Sequence, residues 1–148
     1  MLKNMARLGK SVAHQKNLRE LIAAADAYRD QCAWTDAARA YEAALEIDSD
    51  LVHIWVQYGH ALKGSGRLDE AEDAYRRALA GKDEADTHLQ LGHLHKIMGR
   101  MREAEDDYLR ALERLPACED ARLELSHMGW SGKRLRARLA AAGSPDSQ

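Results

Sequence analysis

Between Val52 and Ala80 the apolar positions keep a helical rhythm, stop, and start again. Trp55, Tyr58, Gly59 and Leu62 recur at i, i+3, i+4 and i+7, the buried stripe of one amphipathic helix. Gly64-Ser65-Gly66 interrupts the stripe, and Gly66 is placed to take the left-handed conformation that closes a helix. A second helix is predicted from about Leu68 to Ala80, with Ala71, Tyr75 and Ala78 facing inward. Asp69, Glu70, Glu72 and Asp73 open it and Arg76 and Arg77 sit near its end, an order that complements the helix dipole. Glu72–Arg76 and Asp73–Arg77 are predicted i,i+4 pairs on an exposed face. Gly59 and Ala71 are small where two backbones must approach, and Tyr75 fills the space beyond.

The pattern repeats along the chain. Gly59, Gly66, Ala71, Tyr75 and Ala78 return 33 residues later as Gly92, Gly99, Ala104, Tyr108 and Ala111. Ala37, Tyr41 and Ala44 stand 34 residues before Ala71, Tyr75 and Ala78. A fixed period of this size marks stacked helix-turn-helix units. It divides the chain into a leader at 1–17, repeats at 18–51, 52–84 and 85–118, C-terminal capping helices at 119–142 and a disordered tail at 143–148. The leader carries Lys3, Arg7, Lys10 and Lys16 and is expected to fray or to pack on the first repeat. Thr35 is a candidate N-cap for the second helix of the first repeat. Asp106–Arg110 repeats the expected pairing of Asp73–Arg77, and Pro116 stops the helix before the cap. His88 and His95 fall in the packing stripe of the third repeat, each expected to be hydrogen-bonded at one nitrogen.

These residues resemble the tetratricopeptide repeat family. Its pattern is Trp, Leu, Gly and Tyr on the first helix, Ala, Phe and Ala on the second, and a closing Pro. The middle repeat matches with Trp55, Tyr58, Gly59, Leu62, Ala71, Tyr75 and Ala78. The third matches with Leu91, Gly92, Ala104, Tyr108, Ala111 and Pro116, but has His88 and His95 where Trp and Tyr are usual. The first matches with Leu21, Ala24, Tyr28, Ala37, Tyr41 and Ala44, with Ala25 in place of the glycine. The resemblance implies an all-α right-handed superhelix of three repeats with flanking helices. A weaker resemblance links 54–100 to repeat segments that precede bacterial glycosyltransferase domains.

Composition narrows the function. The net charge of −2 gives no whole-molecule argument for nucleic acid. No apolar run approaches the roughly 20 residues of a membrane span. Cys32 and Cys118 lie in different repeats and are read as reduced thiols in a cytoplasmic protein. No glycine-rich phosphate loop, nucleophile elbow or paired-carboxylate site is present, so no enzyme and no cofactor is expected. Adjacent repeats sit about 10 Å apart, too far for His60, His93 and His127 to share one metal ion.

In the family that these repeats resemble, the leading helices line the concave surface. The positions that face it here are Asp26 and Arg29; His53, Gln57, His60 and Lys63; Gln90, His93 and Lys96; and His127. Gln-x-Gly-His-x-x-Lys occurs twice in register, from Gln57 to Lys63 and from Gln90 to Lys96. Amide and imidazole groups suit backbone or hydroxyl hydrogen bonds, and lysine suits a carboxylate. The expected surface is polar, cationic at its centre, and made of side chains that the fold itself does not need. The carboxylate clamp of chaperone adaptors is absent: its cation and amide positions hold Ile22, Asp26, Gln57, Asp86 and Gln90. The expected function is a non-catalytic scaffold or adaptor that binds a protein or peptide partner. An accessory module of glycan synthesis and a self-assembling homo-oligomer are the alternatives.

Overall fold

The computed structural model describes residues 2–143, with side chains from Val12 onward. It is helical throughout: α1 (Leu2–Asp30), α2 (Trp34–Ile47), α3 (Val52–Gly64), α4 (Leu68–Gly81), α5 (Ala85–Ile97), α6 (Met101–Arg114), α7 (Glu119–His127) and α8 (Gly132–Ala142). There is no strand among the described residues. The backbone of residues 2–17 runs without a break into the leading helix of the first repeat. Residues 144–148 of the expected tail lie outside the described residues. None of the described helices is long and apolar enough to cross a membrane. The chain divides into two compact units, Met1–Gly81 and Lys82–Gln148.

In the first unit α1 packs on α2, α2 on α3, and α3 on α4. Ala25, Ala37, Tyr41 and Ala44 are fully buried, as are Ala61, Leu62, Ala71, Tyr75 and Ala78. In the second unit α5 packs on α6, and α6 on α7 and α8. Tyr108, Leu112, Ala121 and Leu125 form the centre of one core, and Trp130, between α7 and α8, and Leu135 of α8 join it.

Glycine and tyrosine set the crossing of each helix pair. A Cβ added to Gly59 would stand 2.7 Å from Cε1 of Tyr75. One added to Gly92 would collide with the Tyr108 ring in the same way. The tyrosine of the second helix therefore lies flat against the bare backbone of the first. The helix ends are also repeated. After α3, Arg67 N donates to Leu62 O (2.9 Å) around Gly66 at φ 81°. After α5, Arg100 N donates to His95 O (2.8 Å) around Gly99 at φ 75°. This six-to-one bond is the Schellman closure that a left-handed residue permits. After α1 the same bond, Ala33 N to Tyr28 O (2.9 Å), turns around Cys32 at φ 57°. A cysteine thus occupies the place of the glycine.

Several local expectations are corrected. Thr35 does not cap α2: the helix already starts at Trp34, Ala33 stands at the cap, and no side chain caps it. Glu72 is not on a solvated face but only 9% exposed, held by Arg76 at 2.6 Å. Arg77 leaves Asp73 and lies over Trp55 instead, 5.0 Å from the ring centroid. Asp106 and Arg110 form no ion pair among the described residues. An exposed i,i+4 pair contributes only about 0.3–0.5 kcal/mol, so a competing aromatic face is enough to redirect an arginine.

Two substitutions test this geometry. A non-glycine residue in the left-handed region carries a cost of about 1–2 kcal/mol, partly offset by the greater unfolded-state entropy of glycine. Cys32→Gly should therefore raise stability by about 0.5–1 kcal/mol in urea melts. Gly59→Ala should lower it by about 1–3 kcal/mol, because the Tyr75 ring blocks the added methyl.

Candidate functional site on the leading helices

The expected surface residues fall into two sets, one in each unit. In the first, Arg29 is the hub. Its Nη1 donates to Asp26 Oδ1 at 3.1 Å and to Gln57 Oε1 at 3.0 Å, joining α1 to α3. Nη2 donates to Asp30 Oδ1 at 2.9 Å. His60, one turn beyond Gln57, meets the Tyr75 hydroxyl through Nδ1 at 2.8 Å. Lys63 is half-buried, and burial pulls its ammonium pKa below the ordinary value. His53 is exposed at the start of α3, apart from this network.

In the second unit His93 meets the Tyr108 hydroxyl through Nδ1 at 3.1 Å. Lys96 donates to Glu124 Oε2 at 2.6 Å, and the other oxygen of Glu124 stands 3.9 Å from His93 Nδ1. Gln90 is half-buried, and His127 is exposed at the end of α7.

The two sets share one internal rule. Asp26, His60 and His93 each bond the tyrosine that lies 15 residues later, Tyr41, Tyr75 or Tyr108. All three tyrosines are fully buried, so each hydroxyl needs a partner. Burial is the first cause that raises the Tyr41 and Tyr108 pKa values; hydrogen bonding to Asp26 adds for Tyr41, and the charge of Glu124 for Tyr108. These hydroxyls stay protonated, and Tyr41 donates to Asp26 at 2.6 Å. The histidine rings also stand edge-on to their tyrosines, with centroids 5.6 and 5.5 Å apart. The expectation that the fold does not need His60 and His93 is thus corrected: they satisfy buried hydroxyls.

The cationic character is corrected as well. Arg29 is shared among two carboxylates and an amide, and Lys96 is neutralised by Glu124. Sequence reasoning missed Glu124. It stands 34 residues after Gln90, in the register of the glutamine row, and that register was the available signal. Arg29–Gln57 and Lys96–Glu124 have the same separation of 28 residues, so both pairs join successive leading helices by one geometry.

His88 and His95 are buried, at 4% and 2% exposure. His88 Nε2 bonds Asp83 Oδ1 at 2.6 Å, and His95 Nδ1 bonds Asp107 Oδ2 at 2.5 Å. Burial raises the Asp107 pKa, and the bond to His95 opposes that rise. Arg114 and then His88 hold the Asp83 carboxyl below the usual range. These groups brace the third repeat from the side away from Gln90 and His93.

The sequence of residues 52–94 matches the tetratricopeptide repeat, and residues 85–118 match it again. Residues 52–118 are tetratricopeptide repeats. Residues 18–51 lie outside those matches but carry the same Ala37–Tyr41–Ala44 stripe. Among solved structures, the Arabidopsis OM64 TPR domain is 18% identical, covering 84% of this chain and 98% of its own, with a TM-score of 0.71. The first TPR of Spaghetti (RPAP3), bound to the HSP90 peptide SRMEEVD, is 20% identical over 84% and 94%, with a TM-score of 0.69. The Yersinia enterocolitica type III secretion chaperone SycD, in complex with a peptide of the translocator YopD, is 20% identical over 85% and 92%, with a TM-score of 0.65. At these identities the likeness is one of fold. No curated protein sequence matches the chain.

Replacing His60 and His93 together by Ala should lower stability by about 1–3 kcal/mol, since two buried hydroxyls each lose a bond of about 0.5–1.5 kcal/mol. Adding Tyr75→Phe and Tyr108→Phe to that double variant should recover part of the loss, because the unsatisfied hydroxyls are then gone. Urea denaturation of the three variants checks both statements. The lowered pKa of Asp83 stabilises the fold above the ordinary carboxylate pKa, and this contribution is lost as the pH falls through the folded-state value. The half-exposed pair is worth only about 0.2–1 kcal/mol. Asp83→Asn should remove that amount at pH 7 and leave stability unchanged at about pH 2, read from denaturation at both pH values.

Proposed function

We propose that this chain is a non-catalytic interaction module whose leading helices hold a peptide or an exposed element of a partner protein. Residues 18–51, 52–84 and 85–118 are its three repeats, and 119–142 closes the C-terminal end. One observation carries this reading: the polar row is oriented from inside each repeat, by a buried tyrosine hydroxyl at Asp26, His60 and His93. Side chains fixed before binding lose less conformational entropy when a partner arrives.

The internal pairing also bears on the chemistry of the partner. Arg29 and Lys96 already bond carboxylates of this chain, and Asp26 and Glu124 add negative charge to the same row. A partner that exchanges neutral hydrogen bonds, through its backbone or hydroxyl and amide side chains, fits better than an acidic tail. RPAP3 and SycD, each bound to a peptide, support peptide binding as the general mode of this fold. The acidic HSP90 peptide bound by RPAP3 is not carried over, because Asp26 and Asp86 stand where the clamp needs an amide and a cation.

The test is affinity capture from the source cell on the full chain, followed by calorimetric titration of the purified captured protein. Wild type should bind it saturably. Gln57→Ala with Gln90→Ala should bind it at least about fivefold more weakly, the loss of two hydrogen bonds, at a temperature well below both melts because Gln57→Ala also removes the bond from Arg29. Equal affinities would move the partner off the leading helices.

A further inference from the structure

The first unit has a second surface that the leading-helix reading does not use. At about 100° per residue, Trp55 and Tyr58 point to the side of α3 opposite His53, Gln57 and His60. There they floor a cleft of about 840 Å³ between α2 and α4. Leu45 and Ala74 extend the apolar floor, and Glu42, Glu46, Glu70 and Asp73 stand along its margins. The volume lies within the range of binding pockets for small ligands and anchoring side chains.

Two features of the cleft point to a cationic occupant. First, the indole of Trp55 is fixed, its Nε1 donating to Ser49 O at 2.8 Å, and a guanidinium already lies over its ring: that of Arg77. The ring face therefore suits a cation, and a partner's guanidinium or ammonium would take it in place of Arg77. Second, the charges do not cancel. Arg76 is tied to Glu72, and Glu70 is tied to Arg67, but Glu46 on α2 and Asp73 on α4 form no ion pair among the described residues. Arg77 adds one positive charge against Glu42, Glu46 and Asp73, so the cleft keeps a net negative charge across an aromatic floor. Nucleic acid and anionic lipid surfaces are repelled by such a rim. We infer that the α2–α4 cleft docks a basic segment of a partner protein, with the aliphatic stems of its Arg or Lys residues on Trp55 and Leu45 and their charges between Glu46 and Asp73. This surface is independent of the leading-helix row, so one module would engage two elements.

Fluorescence anisotropy on the full chain tests the inference. The probe is a fluorescein-labelled twelve-residue peptide with Arg at every third or fourth position among Ala and Leu. Its counterpart carries Glu at the same positions. The Arg peptide should bind saturably, more weakly as salt rises, and the Glu peptide should not bind. Glu46→Lys with Asp73→Lys should weaken binding at least about tenfold, whereas Glu20→Lys with Asp106→Lys, the same change of net charge elsewhere, should weaken it less than about twofold. Should the Lys variant melt early, Glu46→Gln with Asp73→Asn keeps the side-chain sizes and should weaken binding in the same direction. Absence of saturable binding, equal binding of the Glu peptide, or equal weakening by both Lys pairs would overturn the inference.

Discussion

The contact between a tyrosine ring and a bare glycine backbone is what the rest of this structure depends on. Burying an aromatic ring stabilises the fold by about 1.5–3 kcal/mol. Leaving its hydroxyl unpaired would cost about 1–3 kcal/mol and cancel that gain. The ring can therefore be used only if a polar group from the leading helix meets the hydroxyl. Gly59 and Gly92 let Tyr75 and Tyr108 come close enough, and His60 and His93, one helical residue beyond each glycine, supply the polar group. The first repeat solves the problem with Ala25 and Asp26 beneath Tyr41. Packing and surface chemistry are thus set by the same few atoms.

This coupling explains why the polar row is less cationic than its composition suggests. A carboxylate at Asp26 draws in Arg29, which then reaches Gln57 on the next leading helix. Glu124 does the converse for Lys96. Within each unit one leading helix is tied to the next by a charge-assisted hydrogen bond, α1 to α3 and α5 to α7, and Arg29 and Lys96 are thereby compensated within the chain. Net negative charge collects instead in the cleft on the other side of α3, where Glu42, Glu46 and Asp73 outnumber Arg77. The two faces of that helix therefore differ in what they present: paired polar groups on one, an aromatic ring among carboxylates on the other.

The repeated stripes Ala37–Tyr41–Ala44, Ala71–Tyr75–Ala78 and Ala104–Tyr108–Ala111 made the helix pairs legible, because each small residue and each tyrosine is required by packing. The closing turns were legible where glycine marked them, at Gly66 and Gly99. The left-handed Cys32 was not, since nothing in a cysteine announces that conformation. At the candidate site the leading-helix positions could be named, but their partners could not. Periodicity tells which side of a helix a residue occupies, not which group on another helix it meets. That is why Glu124 was missed, why Arg77 was assigned to Asp73 rather than Trp55, and why the His–Tyr bonds were unseen. The repeat register contained the last of these: Asp26, His60 and His93 all precede a buried tyrosine by 15 residues.

The central claim is that buried tyrosine hydroxyls orient the polar row of the leading helices. It is tested most directly by ¹⁵N NMR of the histidine side chains in wild type and in the single variants Tyr75→Phe and Tyr108→Phe. The account predicts a hydrogen-bonded Nδ1 signal for His60 and for His93 in wild type. Each signal should shift in the variant that removes its own tyrosine hydroxyl and hold still in the other. Signals unmoved by both substitutions would contradict the account and leave the row without its internal support.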